Sequence, residues 1–326
     1  MDNPLTKYLE DAIAAEKSFE TQLRGFAGEA DRYPKAKALF LQHAEETKGQ
    51  YEALTSRLKA LGGTPSTLKS FMAHMFNMAP KSAQVGHSEE ERTTQDLMMA
   101  YSVENAEVAM YESMSIAAEV IGDNETAILA RRIQTQEKQT ADKVWTEIAP
   151  AAKQAFAAVT SSDPRKQKDV IVRYLQDAEA AERNFEDALA TFSETGDQED
   201  VKSLLATMSD KARTQHERLE TRLNSLGASP STAKSILAHF LAFTPVSAQM
   251  GHEPSEKNTQ HLMIVYAAAA AEMAMYESLA TVSHAAGDSQ TAQLARELQS
   301  EEKQDHILAW QNLGDTAREA MHVMLK

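Results

Sequence analysis

Apolar side chains recur along the first sixty residues at intervals of three and four. Tyr8, Ala12, Ala15, Phe19, Leu23 and Phe26 share one face of a first helix, and Phe40, Thr47, Tyr51, Leu54, Leu58 and Leu61 mark a second that Gly62-Gly63 stops. The same periodicity predicts a third helix from Thr94 to Ile121, ended by Gly122-Asp123, and a fourth from Glu125 to about Ile148. Short loops join helices one and two, and three and four, which makes each pair antiparallel neighbours. Helices two and three are separated by a long segment with a helical pattern of its own, opened by Thr64-Pro65 as a capping residue followed by proline in the first turn. An up-down pair, a long crossover and a second up-down pair give the connectivity of a ferritin-like four-helix bundle.

The whole pattern is written twice. YLEDAIAAEKSFE from Tyr8 returns as YLQDAEAAERNFE from Tyr174, a shift of 166 residues. LGGTPSTLKS from Leu61, SAQVGH from Ser82 and AEVAMYES from Ala106 return as LGASPSTAKS, SAQMGH and AEMAMYES at a shift of 165. Repeats of this length are read as structural units, and Ser161-Ser162-Asp163-Pro164 is the natural linker between them. The expectation is an all-α chain of two tandem ferritin-like four-helix bundles, residues 1–162 and 163–326, each with a long crossover helix. Such a chain forms an intramolecular pseudo-dimer, with further homo-oligomerisation open.

Composition agrees and narrows the partners. With 326 residues, 42% of them hydrophobic and 25% charged, but only 12 glycines and 9 prolines, the balance suits long helices in two domains. The net charge of −15 and the absence of a basic stripe argue against nucleic acid as a partner. No cysteine is present, so a metal would be held by oxygen and imidazole ligands. The opening MDNPLTKYLE carries charge at once and lacks the apolar centre of a signal peptide, which predicts a cytoplasmic location. Leu262 to Ala280 is apolar enough to suggest a membrane span, but Glu272 near its centre and the many alanines mark a buried helix instead.

Candidate chemistry lies on the inner faces. Glu272 has almost nothing polar around it in sequence, so its carboxylate must be paired, protonated or metal-bound. Its counterpart is Glu107; each precedes a tyrosine by one turn, Tyr276 and Tyr111. Glu16 and Glu182 sit on faces otherwise apolar, Glu137 lies on the stripe Ala130, Ala141 and Val144, and Glu302 is one turn from His306. On the second helix His43, Glu46 and Gln50 follow one another at spacings of three and four beside the core seam. Glu16, Glu46, Glu107 and Glu137 thus offer one carboxylate per helix, as in carboxylate-bridged dinuclear sites. Glu112 and Glu277 fall off the inner face and are expected in solvent. The recurring His74 and His239, His87 and His252, and Met72, Met75 and Met78 are expected to pack rather than bind metal.

These motifs carry a resemblance. The Ala-Glu-Lys or Ala-Glu-Arg of the first helix, His43-Ala-Glu-Glu-Thr of the second, Ala-Met-Tyr-Glu of the third and Glu137-Lys or Glu302-Lys of the fourth resemble the YciE/YciF group of bacterial stress-associated ferritin-like proteins. The resemblance covers nearly all of both copies and implies a dinuclear iron or manganese site, with iron handling or peroxide or dioxygen chemistry. The ligand set it implies is Glu16, Glu46, Glu107, Glu137 and His43 in copy one, and a weaker Glu182, Glu272, Glu302 and His306 in copy two. Two departures stand out. Helix two of copy one runs His43-x-x-Glu46 rather than Glu-x-x-His, and in copy two Met208 and Lys211 replace His43 and Glu46. Lys211 is a poor metal ligand and is expected to pair with Glu182 or Glu272. The alternative is therefore a non-enzymatic structural or interaction module with a degenerate, metal-free core.

Overall fold

The structure, a computed structural model, describes residues 4–64, 87–161, 163, 165–231 and 253–326. The expected crossover helices, with Met72, His74, His239 and His252, and part of the expected linker, Ser162 and Pro164, lie outside the described residues. Eight α-helices are described and no strand occurs among the described residues: α1 Leu5–Glu29, α2 Pro34–Ala60, α3 Arg92–Ile121, α4 Asn124–Ser161, α5 Lys166–Thr195, α6 Glu199–Ser225, α7 Lys257–Ala285 and α8 Ser289–Met324. A single 3₁₀ turn precedes α3 (Glu89–Glu91) and another precedes α7 (Pro254–Glu256). Gly122 ends α3 at φ 85°, with its N–H and that of Asp123 closing onto Glu119 and Ala118 carbonyls at 3.1 and 2.9 Å. The fourth helix outruns its expected end near Ile148. It continues through Pro150 to Ser161, because Ala151, Ala152, Ala155 and Phe156 prolong the buried stripe beyond the proline.

α1 packs along α2, α3 along α4, α5 along α6 and α7 along α8, so the sequence pairs are the structural pairs. α3 and α7 are buried on every side, not on one stripe. Each faces its own bundle on one side and the other half of the chain on the other. Ser102 donates to the carbonyl of Ala267, its own repeat counterpart, at 3.2 Å. A residue that touches its counterpart lies at an approximate twofold axis. Across the same contact Ser278 Oγ reaches Met98 Sδ at 3.2 Å, and the Lys138 ammonium lies 4.4 Å from the Trp310 ring centre. The stretch that looked like a membrane span belongs to this contact. The helical segment Pro254–Ala285 has the length and mean hydropathy, 1.2, to cross a membrane, yet 89% of its apolar window is buried inside the protein.

Each half also grips the first helix of the other. Glu91, at the start of α3, accepts Ser88 N–H at 2.9 Å and the Arg173 guanidinium of α5 at 2.8 Å, while His87 Nε2 meets Asp177 of α5 at 2.7 Å. At the pseudo-symmetric position Glu256 accepts the Tyr8 hydroxyl of α1 at 2.5 Å. Burial opposes charge on His87, but Asp177 and Glu91 outweigh it and raise its pKa from 6.5 to about 9. A histidine raised in the folded state stabilises fully below its unfolded pKa, and that contribution is lost as the pH rises through about 9. The charged groups facing it are Asp177, Glu91 and the adjacent Arg173. H87Q is therefore expected to be less stable than wild type at pH 7 by about 2 kcal/mol, a gap that closes toward pH 10. Urea unfolding of both proteins across that range checks it; a constant gap would place the stabilisation outside His87 titration.

Candidate metal centre

Helical periodicity brings one polar cluster to the middle of each bundle. In the first half α1 supplies Glu16, α2 His43, α3 Glu104 and Glu107, and α4 Glu137. The four carboxylates are fully buried and His43 is 2% exposed. Ligand atoms of His43, Glu104, Glu107 and Glu137 all lie within 4.8 Å of one another, a group that can hold a metal ion. His43 Nε2 is 2.9 Å from Glu104 and 3.7 Å from Glu137, and the Phe19 ring covers the imidazole edge-on at 5.6 Å. Tyr111 donates to Glu16, and Gln50 donates to Glu137.

Most of the remaining oxygens find no hydrogen-bond donor. Both of Glu107, both of Glu104, one of Glu16 and one of Glu137 accept no hydrogen bond, although one Glu104 oxygen lies 2.9 Å from His43 Nε2 as an ion-pair contact. Orphaned buried polar atoms cost stability unless something else satisfies them. Burial accordingly pushes Glu107 and Glu137 well above the usual carboxylate range, with neighbouring carboxylates adding to it. Burial also raises Glu16 to about 8, although Tyr111 and His43 pull the other way. For His43 burial opposes the charge, but Glu104, Glu46 and Glu137 together hold the imidazolium well above its ordinary pKa. One cation faces four carboxyl groups.

Two sequence expectations shift here. Glu46 does not join the cluster. Its side chain is 33% exposed, it bonds to Gln42 at 2.9 Å, and it reaches only the outer nitrogen of His43, Nδ1, at 3.5 Å. His43 and Gln42 outweigh partial burial and lower its pKa to about 2. Glu104, which the sequence did not single out, lies in the cluster instead. It lies one turn before Glu107 and so shares its face, but its repeat counterpart is Ala269, and repetition gave no second signal.

The second half keeps the frame with fewer ligands. Glu182, Glu272 and Glu302 are fully buried, and their ligand atoms also gather within 4.8 Å. Tyr276 donates to Glu182, and Gln215 to Glu302 at 2.6 Å, as their counterparts do. Burial raises Glu182 and Glu272 well above the usual range and Glu302 to about 7. The sequence led us to expect Lys211 to pair with Glu182 or Glu272, but it pairs with neither. Its ammonium sits 3.0 Å from Asp305 and donates to the Glu301 carbonyl at 2.6 Å, and it acts on Glu182 and Glu302 only through space. His306 stands outside the cluster too. Its Nδ1 bonds to the Tyr266 carbonyl at 2.9 Å, its ring stacks on Tyr266 at 3.7 Å, and burial lowers its pKa to about 4. Glu112 and Glu277 are not free in solvent either, since Arg131 with Gln134, and Arg296 with Gln299, bind them.

The family described as "Domain of unknown function (DUF892)" matches residues 1–158 and, a second time, residues 166–319. The double match follows the internal repeat. No solved structure matches the chain.

A carboxyl group raised in the folded state stabilises below its unfolded pKa and loses that contribution as the pH rises through the folded value. For Glu302 the window runs from 4.5 to about 7. In chelator, E302Q is expected to gain on wild type as the pH rises from 5 to 8, because the amide keeps the Gln215 contact without ionising. Melting temperatures of the two proteins across that range check the sign; a gap that widens against E302Q would mean Glu302 is buried as a stabilised anion.

Proposed function

The chain belongs to the DUF892 family over both of its halves, and from that premise and the buried cluster we propose that the first half is a metal centre for iron or manganese. Its ligands are Glu104, Glu107, Glu137 and His43, with Glu16 completing the carboxylate set under the Tyr111 hydroxyl. The observation that carries the reading is the set of buried oxygens without a donor on Glu104, Glu107 and Glu137, whose ligand atoms lie within 4.8 Å of one another and of His43, with a further such oxygen on Glu16. Four carboxylates and one imidazole are a hard, oxygen-rich donor set, which suits manganese and iron and would balance two divalent charges. Bound metal would supply Lewis acidity and one-electron chemistry toward dioxygen or peroxide, or simply sequester iron. The protein's part is to keep the carboxylates dry, to fix Glu16 through Tyr111 and Glu137 through Gln50, and to place His43 Nε2 against Glu104.

The second half follows a different reading, favoured by Lys211. An ammonium paired with Asp305 beside Glu182, Glu272 and Glu302 relieves by charge what the first half relieves by metal. Here the cluster serves as a structural core whose carboxyls are retained in their protonated form.

Protein purified without chelator is expected to carry iron or manganese confined to the first half, with E107Q losing at least about tenfold in affinity, a loss of roughly 1.4 kcal/mol. Elemental analysis, with anomalous scattering to place the ions, checks it. Ions found only in the second half, or wild-type binding by E107Q, would overturn the assignment.

A further inference from the structure

Resting on that reading, we propose that Glu46 is the uptake residue of the first half, receiving a divalent cation from solvent and passing it inward across His43, and that Lys211 closes the corresponding mouth of the second half. The line from solvent to the cluster is short and made of contacts already described. Glu46 is one-third exposed, its Oε2 is 3.5 Å from His43 Nδ1, and the other nitrogen of the same ring, Nε2, lies 2.9 Å from Glu104 and 3.7 Å from Glu137. His43 is 2% exposed, so a cation approaching from this side meets Glu46 first and the imidazole second. Glu46 is also the carboxylate of this group that solvent reaches, whereas Glu16, Glu104, Glu107 and Glu137 are fully buried.

The repeat provides an internal comparison. At the position of Glu46 the second half has Lys211, 27% exposed, and at that of His43 it has Met208. Lys211 is latched to Asp305 at 3.0 Å and to the Glu301 carbonyl at 2.6 Å, and Asp305 itself stands where the first half has Thr140. A fixed ammonium at that mouth repels the ion that a carboxylate would attract, and a thioether cannot hand a hard cation on. Differences at equivalent positions, Lys211 for Glu46 and Met208 for His43, thus separate an open from a closed centre.

The test is the rate of manganous-ion uptake by the full chain, followed by loss of the free-ion paramagnetic resonance signal, with release into excess chelator as the reverse step. E46Q is expected to slow uptake and release alike by about tenfold, the scale on which one focusing charge acts, while stoichiometry and affinity stay within about threefold of wild type. M208H/K211E/D305T, which writes the first half's residues at all three positions, is expected to add manganese binding in the second half. Equal rates for E46Q and wild type would overturn the proposal, and so would a fall in E46Q affinity as large as its fall in rate, since Glu46 would then be a ligand. A wild-type chain that takes up neither manganous nor ferrous ion would overturn the metal reading itself, an outcome distinct from unchanged rates in a protein that binds.

Discussion

A carboxylate taken out of water must be neutralised, and this chain takes seven of them into its two bundle centres: Glu16, Glu104, Glu107 and Glu137 in one half, Glu182, Glu272 and Glu302 in the other. Everything around those centres can be read as a response to that cost. Tyr111 and Tyr276 each give a hydroxyl to the carboxylate of the first helix, and Gln50 and Gln215 each give an amide to that of the fourth. These four donors recur in both halves. They leave most of the charge unanswered, and the halves then diverge in how they answer the rest.

In the first half Glu104 and His43 enlarge the polar cluster, a choice that makes sense where a cation neutralises it. In the second half alanine stands at the place of Glu104 and methionine at that of His43, and Lys211 with Asp305 adds an internal ion pair. The second bundle packs against the first along α3 and α7. Those two helices carry Glu104, Glu107 and Glu272, so the contact that joins the halves also holds the third-helix glutamates of each centre. The grips of Glu91 and His87 on α5, and of Glu256 on α1, extend the same dependence to the first helices, on which Glu16 and Glu182 ride.

The all-round burial of α7 shows how one physical fact can carry two readings. An apolar helix with a single interior glutamate is what a membrane or a protein interior would each select. The alanines between Val265 and Glu272 favour the second, because small side chains let two helices approach closely, and Ser102 touching Ala267 is that approach.

What the sequence determined by itself is what depends on spacing along one chain: eight helices, their antiparallel pairing, the duplication, and the faces on which Glu16, Glu107, Glu182 and Glu272 are buried. Helical periodicity fixes the angle at which a side chain leaves its own axis, and that angle was enough for these four. It does not fix depth along the axis relative to a neighbouring helix, nor which side chain across the gap is nearest. Those relations decided that Glu104 lies inside and Glu46 at the edge, although both sit near the same seam. They decided that Lys211 meets Asp305 before it meets Glu182, and that His306 turns its nitrogen to the Tyr266 carbonyl instead of the glutamates. Tertiary packing set them because a long side chain reaches the first partner its helix–helix offset presents, and that offset arises only when two faces are brought together.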